Sequence, residues 1–217
     1  MNKQCVIISG GSIEDAFALE QVCKIQPEII IGVDSGLKFL YRNQIMPTHI
    51  VGDFDSVEPA IIAFYKQETQ VPIREFNPVK DASDTEIALK LAIELGAEYI
   101  WILGGTGTRL DHVMANVQML KFASNAGVKA YILDKHNRIS LIEKGVVLAK
   151  EDAYGPYFSV FPLGGQICGF NIRGAKYPLE NHVLSPYDSL CVSNQYLEEK
   201  VEISFPEGTV ILMETRD

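Results

Sequence analysis

The chain has 217 residues, 47% of them hydrophobic and 22% charged, with a formal net charge of −9. This is ordinary globular usage, long enough for one large domain or two small ones with real cores. Neutralising nucleic-acid phosphates needs a basic surface, so the acidic balance argues against a nucleic-acid partner; a small anionic substrate stays open, because a bound cation inverts the local sign.

The four cysteines, Cys5, Cys23, Cys168 and Cys191, form no C-x-x-C pair and no zinc spacing. Cys5 and Cys191 lie in apolar runs and read as buried thiols, which points to a reducing, cytoplasmic setting. The apolar run at the N-terminus is too short for a signal peptide. No stretch approaches the roughly 18–20 apolar residues of a membrane span, so no membrane partner is expected.

Residues 5–9 read as a strand ending at Gly10-Gly11, and Ser12 starts a helix through residue 21. Residues 28–33 form a second strand, ending at Asp34, with a helix beginning over 37–41. Residues 48–51 form a third, ending at Gly52-Asp53, and Ser56 is placed to cap a helix over 59–67. Residues 72–76 are a fourth strand. Ser83 and Glu86 have capping-box spacing; the stripe Ile87, Leu91, Ile93 and Leu95 follows, and Gly96 suits the stop. Residues 99–103 are a fifth strand closed by Gly104-Gly105. A helix over 110–124 stops at Gly127, and residues 129–133 are a sixth strand. Repeated β-α units predict a three-layer α/β/α domain over residues 1–135, with a mainly parallel sheet and ligands outside the carboxyl ends of its strands.

After Asp134 the pattern changes. Residues 138–142, 146–149, 157–161, 166–172, 189–193, 201–205 and 209–214 read as short strands separated by Gly, Pro and Asn, which predicts a β-sandwich over residues 136–217.

Three polar clusters fall at predicted strand ends. In Gly52-Asp53-Phe54-Asp55-Ser56, continued strand geometry points Asp53 and Asp55 the same way. Two such carboxylates repel by about 4 kcal/mol at 4 Å and an effective dielectric of 20, which a hard cation such as Mg²⁺ relieves. A solvated turn with a helix-capping aspartate is the plain alternative. In Asp81-Ala82-Ser83-Asp84-Thr85-Glu86, acidic residues suit a helix start, which explains Glu86 better than Asp81. In Gly104-Gly105-Thr106-Gly107-Thr108-Arg109-Leu110-Asp111-His112, a glycine-rich turn offers N–H groups at a positive helix end, and Arg109 offers a fork for phosphate oxygens. It matches neither a P-loop nor a dinucleotide fingerprint, and a flexible turn with a surface Arg-Asp pair is its plain alternative. Asp34-Ser35-Gly36 could contact ribose or phosphate, or cap a helix. The topology predicts that the acidic clusters converge.

In order and spacing, these motifs together with Asn116, Gly174-Ala175-Lys176-Tyr177-Pro178-Leu179 and Ser193-Asn194 resemble the thiamine pyrophosphokinase (thiamine diphosphokinase) family over nearly the whole chain. The resemblance implies an α/β domain for ATP, a sandwich that helps bind thiamine, and a homodimer with shared active sites. The implied reaction moves the β,γ-diphosphate of ATP onto the thiamine hydroxyl, giving thiamine diphosphate and AMP. It also implies that Asp53, Asp55 and Asp84 hold Mg²⁺, with Asp81 and Asp111 near. Arg109 would meet the transferred phosphates, and Asp34, Gly104, Gly105, Thr106, Gly107 and His112 would line the ATP site. Asn116, Ser193 and Asn194 would sit by thiamine. Ser35 and Ala175 depart from the family, where glycine or arginine and leucine, respectively, are frequent.

Three rivals are distinguishable. A pterin diphosphokinase on a related fold would keep the ATP and metal motifs but change the acceptor pocket. A phosphatase of the haloacid dehalogenase type fits the apolar strand before Asp53 but leaves the glycine-rich turn unexplained. A silent thiamine-binding sensor would not need the aspartates.

Overall fold

The protein is described by a computed structural model covering residues 2–75, 82–187 and 189–217. The chain divides into two compact units, Met1–Lys135 and His136–Asp217.

The first unit alternates strands and helices: β1 (Gln4–Ile8), α1 (Asp15–Ile25), β2 (Ile29–Val33), α2 (Gly36–Arg42), β3 (His49–Gly52), α3 (Pro59–Glu68), β4 (Ile73–Glu75), α4 (Asp84–Glu94), β5 (Tyr99–Leu103), α5 (Leu110–Asn125) and β6 (Lys129–Leu133). The strands pair in parallel in the order β6-β5-β1-β2-β3-β4. Cys5, Val6, Ile7 and Ile8 of β1 are all fully buried. Successive strand side chains point to opposite faces, so both faces of the sheet are covered. The chain steps outward from β1 to β4, then crosses back to β5 and β6 on the other side of β1. Right-handed crossovers therefore put α1, α2 and α3 on one face and α4 and α5 on the other. The reversal between β1 and β5 is the switch point of the sheet, where open α/β folds leave a crevice.

Several helix ends differ from the sequence reading. The first helix starts at Asp15, not Ser12. The Gly11 and Ser12 N–H groups donate to the Gly104 and Thr106 carbonyls at 2.9 and 2.8 Å, so residues 10–12 lie along the turn after β5 instead of coiling. Ser56 does not cap α3. Its hydroxyl donates to Asp55 Oδ1 at 2.8 Å, Glu58 stands at the N-cap, and Pro59 opens the helix. Ser83 does cap α4, accepting the Glu86 N–H at 3.2 Å. The buried side of that helix is Thr85, Ala88, Leu89, Leu91 and Ala92, while Ile87, Ile93 and Leu95 are half-buried. The two alanines leave a close seat on the sheet. Phe76, the expected end of the fourth strand, lies outside the described residues.

The second unit holds β7 (Asn137–Ile142), β8 (Val146–Ala149), β9 (Tyr157–Pro162), β10 (Ile167–Arg173), β11 (Leu179–Leu184), β12 (Asn194–Gln195), β13 (Lys200–Ser204) and β14 (Val210–Thr215). They pair antiparallel as β12-β9-β14-β7 and as β11-β10-β13-β8. Phe158, Val160 and Leu212 of the first set share one buried cluster with Phe170, Ile172, Val201 and Ile203 of the second, the core of a β-sandwich. Glu214, only 4% exposed, takes a bidentate pair from Arg138 opposite it, at 2.7 and 2.6 Å.

Two sandwich readings are corrected. Residues 189–193 are not a strand: Val192 N–H turns back to Ser189 O, and Leu190 and Val192 face solvent while only Cys191 of the apolar three is buried. β11 was not anticipated, because its core-facing apolar residues are interrupted by Glu180, Asn181 and His182.

Candidate active site

The carboxyl ends of β1, β2, β3 and β5 and the start of α4 enclose a cleft of about 730 Å³. Asp34, Asp53, Asp84, Gly104, Gly105, Thr106, Gly107, Arg109, His112 and Asn116 line it. Asp55 and Asp111 do not, and Asp81 lies outside the described residues. Ser193 and Asn194 belong to the second unit.

Asp34 follows β2 in a left-handed conformation, φ 43°. The Phe54 N–H donates to its Oδ1 at 3.3 Å. A Cβ on Gly52 would stand 2.0 Å from the same oxygen, so only glycine lets the end of β3 pass the carboxyl group. The other carboxyl group beside Asp34 in the cleft is that of Asp84, whose charge disfavours ionisation of Asp34. Burial, then the neighbouring Asp84 carboxyl and the charge of Asp53, push Asp34 up to about 7, against the pull of the Phe54 N–H.

Asp53 and Asp55 do not project together. The strand stops at Gly52, and Phe54 turns left-handed at φ 62° with its ring buried. The Asp55 N–H folds back on Asp53 Oδ1 at 3.2 Å. Asp53 is left in the cleft and Asp55 exposed, held by the Ser56 hydroxyl.

The glycine-rich turn is rigidly supported. Asn116, buried on α5, donates from Nδ2 to Gly105 O at 2.7 Å. Thr106 Oγ1 donates to Asp134 Oδ2 at 2.7 Å. A Cβ on Gly11 would come within 2.2 Å of Thr106 O and 2.5 Å of Gly104 O. Arg109 is mostly exposed and pairs with Asp111, Nη2 to Oδ2 at 2.6 Å. Its guanidinium holds the Asp111 carboxyl down at about 2.

In the sandwich, Asn194 is buried and its amide is committed to backbone: Oδ1 accepts from Tyr177 and Gln195, and Nδ2 donates to Tyr177 O at 2.8 Å. Ser193, at φ 56°, has an exposed side chain.

The residues that sequence reasoning missed are the first loop, Gly10, Gly11 and Ser12, and the buried pair Ser9 and Thr85. Gly10-Gly11 after a strand was the available signal; nothing local flagged the hydroxyl pair.

The donor chemistry of the cleft suits a hard divalent cation. Asp34, Asp53 and Asp84 line one cleft, and the charges of Asp84 and Asp53 both bear on Asp34, a repulsion that a cation would relieve. Among the described residues no group of three or more His, Cys, Asp or Glu side chains is arranged to hold a metal ion by itself. A cation here would complete its shell with phosphate oxygens and water, as Mg²⁺ commonly does.

An acidic cleft at the switch point of a parallel sheet, edged by a glycine turn and an arginine, defines a transferase that handles phosphate groups. Residues 22–132 match "Thiamin pyrophosphokinase, catalytic domain" and residues 145–210 match "Thiamin pyrophosphokinase, vitamin B1 binding domain". The chain is 31% identical to thiamine pyrophosphokinase of Bacillus subtilis, over 86% of this chain and 87% of that one. The crystal structure of thiamine pyrophosphokinase from Bacillus subtilis superposes with a TM-score of 0.87 at 29% identity, covering 99% of this chain and 100% of that chain. That of thiamin pyrophosphokinase from Geobacillus thermodenitrificans gives 0.83 at 28%, covering 99% and 98%. The chain belongs to the thiamin pyrophosphokinase family.

Proposed function

We propose that the cleft binds ATP with Mg²⁺ and passes the terminal diphosphate to thiamine, releasing AMP. The protein is an enzyme of the thiamine pyrophosphokinase type, an ATP-dependent diphosphotransferase. The observation that carries this reading is the gathering of Asp34, Asp53 and Asp84 in one cleft with the glycine turn and Arg109.

Asp53 and Asp84 would hold the cation, with Asp34 beside them, Asp55 on the turn after β3, and Asp81, outside the described residues, as a further ligand. When bound, the divalent cation neutralises phosphate charge. Backbone N–H groups of the 104–107 turn orient the phosphate chain, and Arg109, leaving Asp111, bonds the non-bridging oxygens of the group in transfer. The thiamine hydroxyl oxygen forms a bond to the β-phosphorus as the bond from that phosphorus to the bridging oxygen of the α-phosphate breaks. The hydroxyl proton passes to a carboxylate of the cleft, and AMP carries the leaving electrons. Positioning and charge neutralisation supply most of the acceleration.

In this reading Asn116 acts by fixing the glycine turn, and Asn194 by shaping the Tyr177 loop of the thiamine-binding unit. The working assembly is a homodimer. Leu110 and Met114, one turn apart on α5 and 73% and 56% exposed, support association. Four free cysteines fit a reducing cytoplasm; among the described residues no helix is long and apolar enough to cross a membrane.

Acceptor exchange tests the reading. With ATP and Mg²⁺, thiamine supports AMP release and a hydroxymethylpterin does not. AMP release with the pterin alone would overturn the assignment of the acceptor.

A further inference from the structure

The reaction as derived uses neither Ser9 nor Thr85. Ser9 follows β1 beside the switch point, and Thr85 stands in the first turn of α4, next to Asp84. Both line the cleft, yet both are buried, at 4% and 8% exposure, and their hydroxyl oxygens are 2.6 Å apart. The backbone of Ser9 is equally confined. Its N–H donates to Leu103 O at 2.8 Å. A Cβ on Gly36 or Gly104 would come within 2.9 or 2.4 Å of its carbonyl oxygen. Through three polar atoms Ser9 thus meets the loop of Asp34, the glycine turn and the start of α4.

We propose that the Ser9–Thr85 hydroxyl pair is the positioning element of the acidic site: it fixes the first turn of α4 against the end of β1, and so keeps the Asp84 carboxyl in the cleft beside Asp34. Neither hydroxyl has to touch the ligand. The pair acts through the placement of Asp84, where a shift of about 1 Å is enough to cost on the order of 100-fold in rate. Removing one hydroxyl leaves the other buried without its partner, and removing both relieves that penalty. Stability and positioning can therefore be separated. The inference rests on the reading of the cleft as a cation and nucleotide site.

The test is Mn²⁺ binding, followed by electron paramagnetic resonance with a non-hydrolysable ATP analogue, on the wild-type chain and on Ser9→Ala, Thr85→Val, Thr85→Ser and the Ser9→Ala/Thr85→Val double variant. Melting temperatures are recorded alongside. Ser9→Ala and Thr85→Val should weaken Mn²⁺ about 10-fold or more, the range for residues that orient metal ligands, while Thr85→Ser, which keeps the hydroxyl, stays within about twofold. In turnover, the Mg²⁺ concentration for half-maximal rate should rise while KM for thiamine holds. The double variant should regain melting temperature but not Mn²⁺ affinity. Unchanged affinity in the single variants, or affinity recovered in the double, overturns the inference; if Thr85→Val does not fold, Ser9→Ala decides alone. Failure of the wild-type chain to bind Mn²⁺ overturns the cation reading as well.

Discussion

The carboxyl groups of Asp34 and Asp84, at the end of β2 and the start of α4, line one cleft, and the charge of Asp84 helps to push Asp34 above the usual carboxylate range. Such a pair opposes folding whenever both groups are ionised, and it is built for an incoming positive charge.

The first consequence is a pH dependence of stability. Asp34 titrates at about 7 when folded, above the ~3.9 of an unfolded aspartate. Between those values the folded state binds more protons, so its contribution to stability is full below about 4 and is lost as pH rises through about 7. Asparagine keeps the acceptor for the Phe54 N–H and tolerates the left-handed backbone of Asp34. Asp34→Asn should therefore melt higher than the wild-type chain at pH 8 and nearly alike at pH 4, without ligands. A gain that is equal at both values would contradict the assignment.

Asp84→Asn and Asp53→Asn should lower kcat by roughly 100-fold or more, the scale for losing one preorganised electrostatic group. Asp55→Asn tests a different point. Its exposed carboxylate, held by Ser56, must swing to join the site. The expectation is a large fall in kcat with an unchanged melting temperature; near-normal turnover removes Asp55 from the chemistry.

Gly11→Ala places a methyl group against two backbone carbonyls that have no side-chain freedom to move away. Overpacking of this kind costs about 1–3 kcal/mol. The first loop and the glycine turn should separate, so calorimetry should show nucleotide binding lost at a temperature where circular dichroism still reports a folded chain. Retained nucleotide binding would show that the two loops need not touch.

The sandwich carries its own prediction. Arg138→Ala leaves Glu214 buried without its bidentate partner, and breaking a buried pair costs about 3–5 kcal/mol. Denaturant unfolding should show that loss. Replacement of both residues by apolar ones of similar volume should recover most of it.

Much of this was legible in the sequence because the informative residues are local. Apolar runs closed by glycine and aspartate mark strand ends, and a parallel sheet gathers such ends on one edge, which is why Asp34, Asp53, Asp84 and Arg109 are found together. What was not legible depends on backbone departures and on distant partners. Alternation along a strand puts Asp53 and Asp55 on one side, but a single left-handed residue, Phe54, undoes it. The apolar run at residues 190–192 reads like a short strand but folds as turns and bends. The hydrogen bond between Ser9 and Thr85 joins positions far apart in the chain, and no short motif encodes it.

The most direct measurement is product stoichiometry. Incubated with ATP, Mg²⁺ and thiamine, the protein should form AMP and thiamine diphosphate in equal amounts, with none when either substrate is omitted. ADP with thiamine monophosphate, or phosphate release without a thiamine product, would contradict the account.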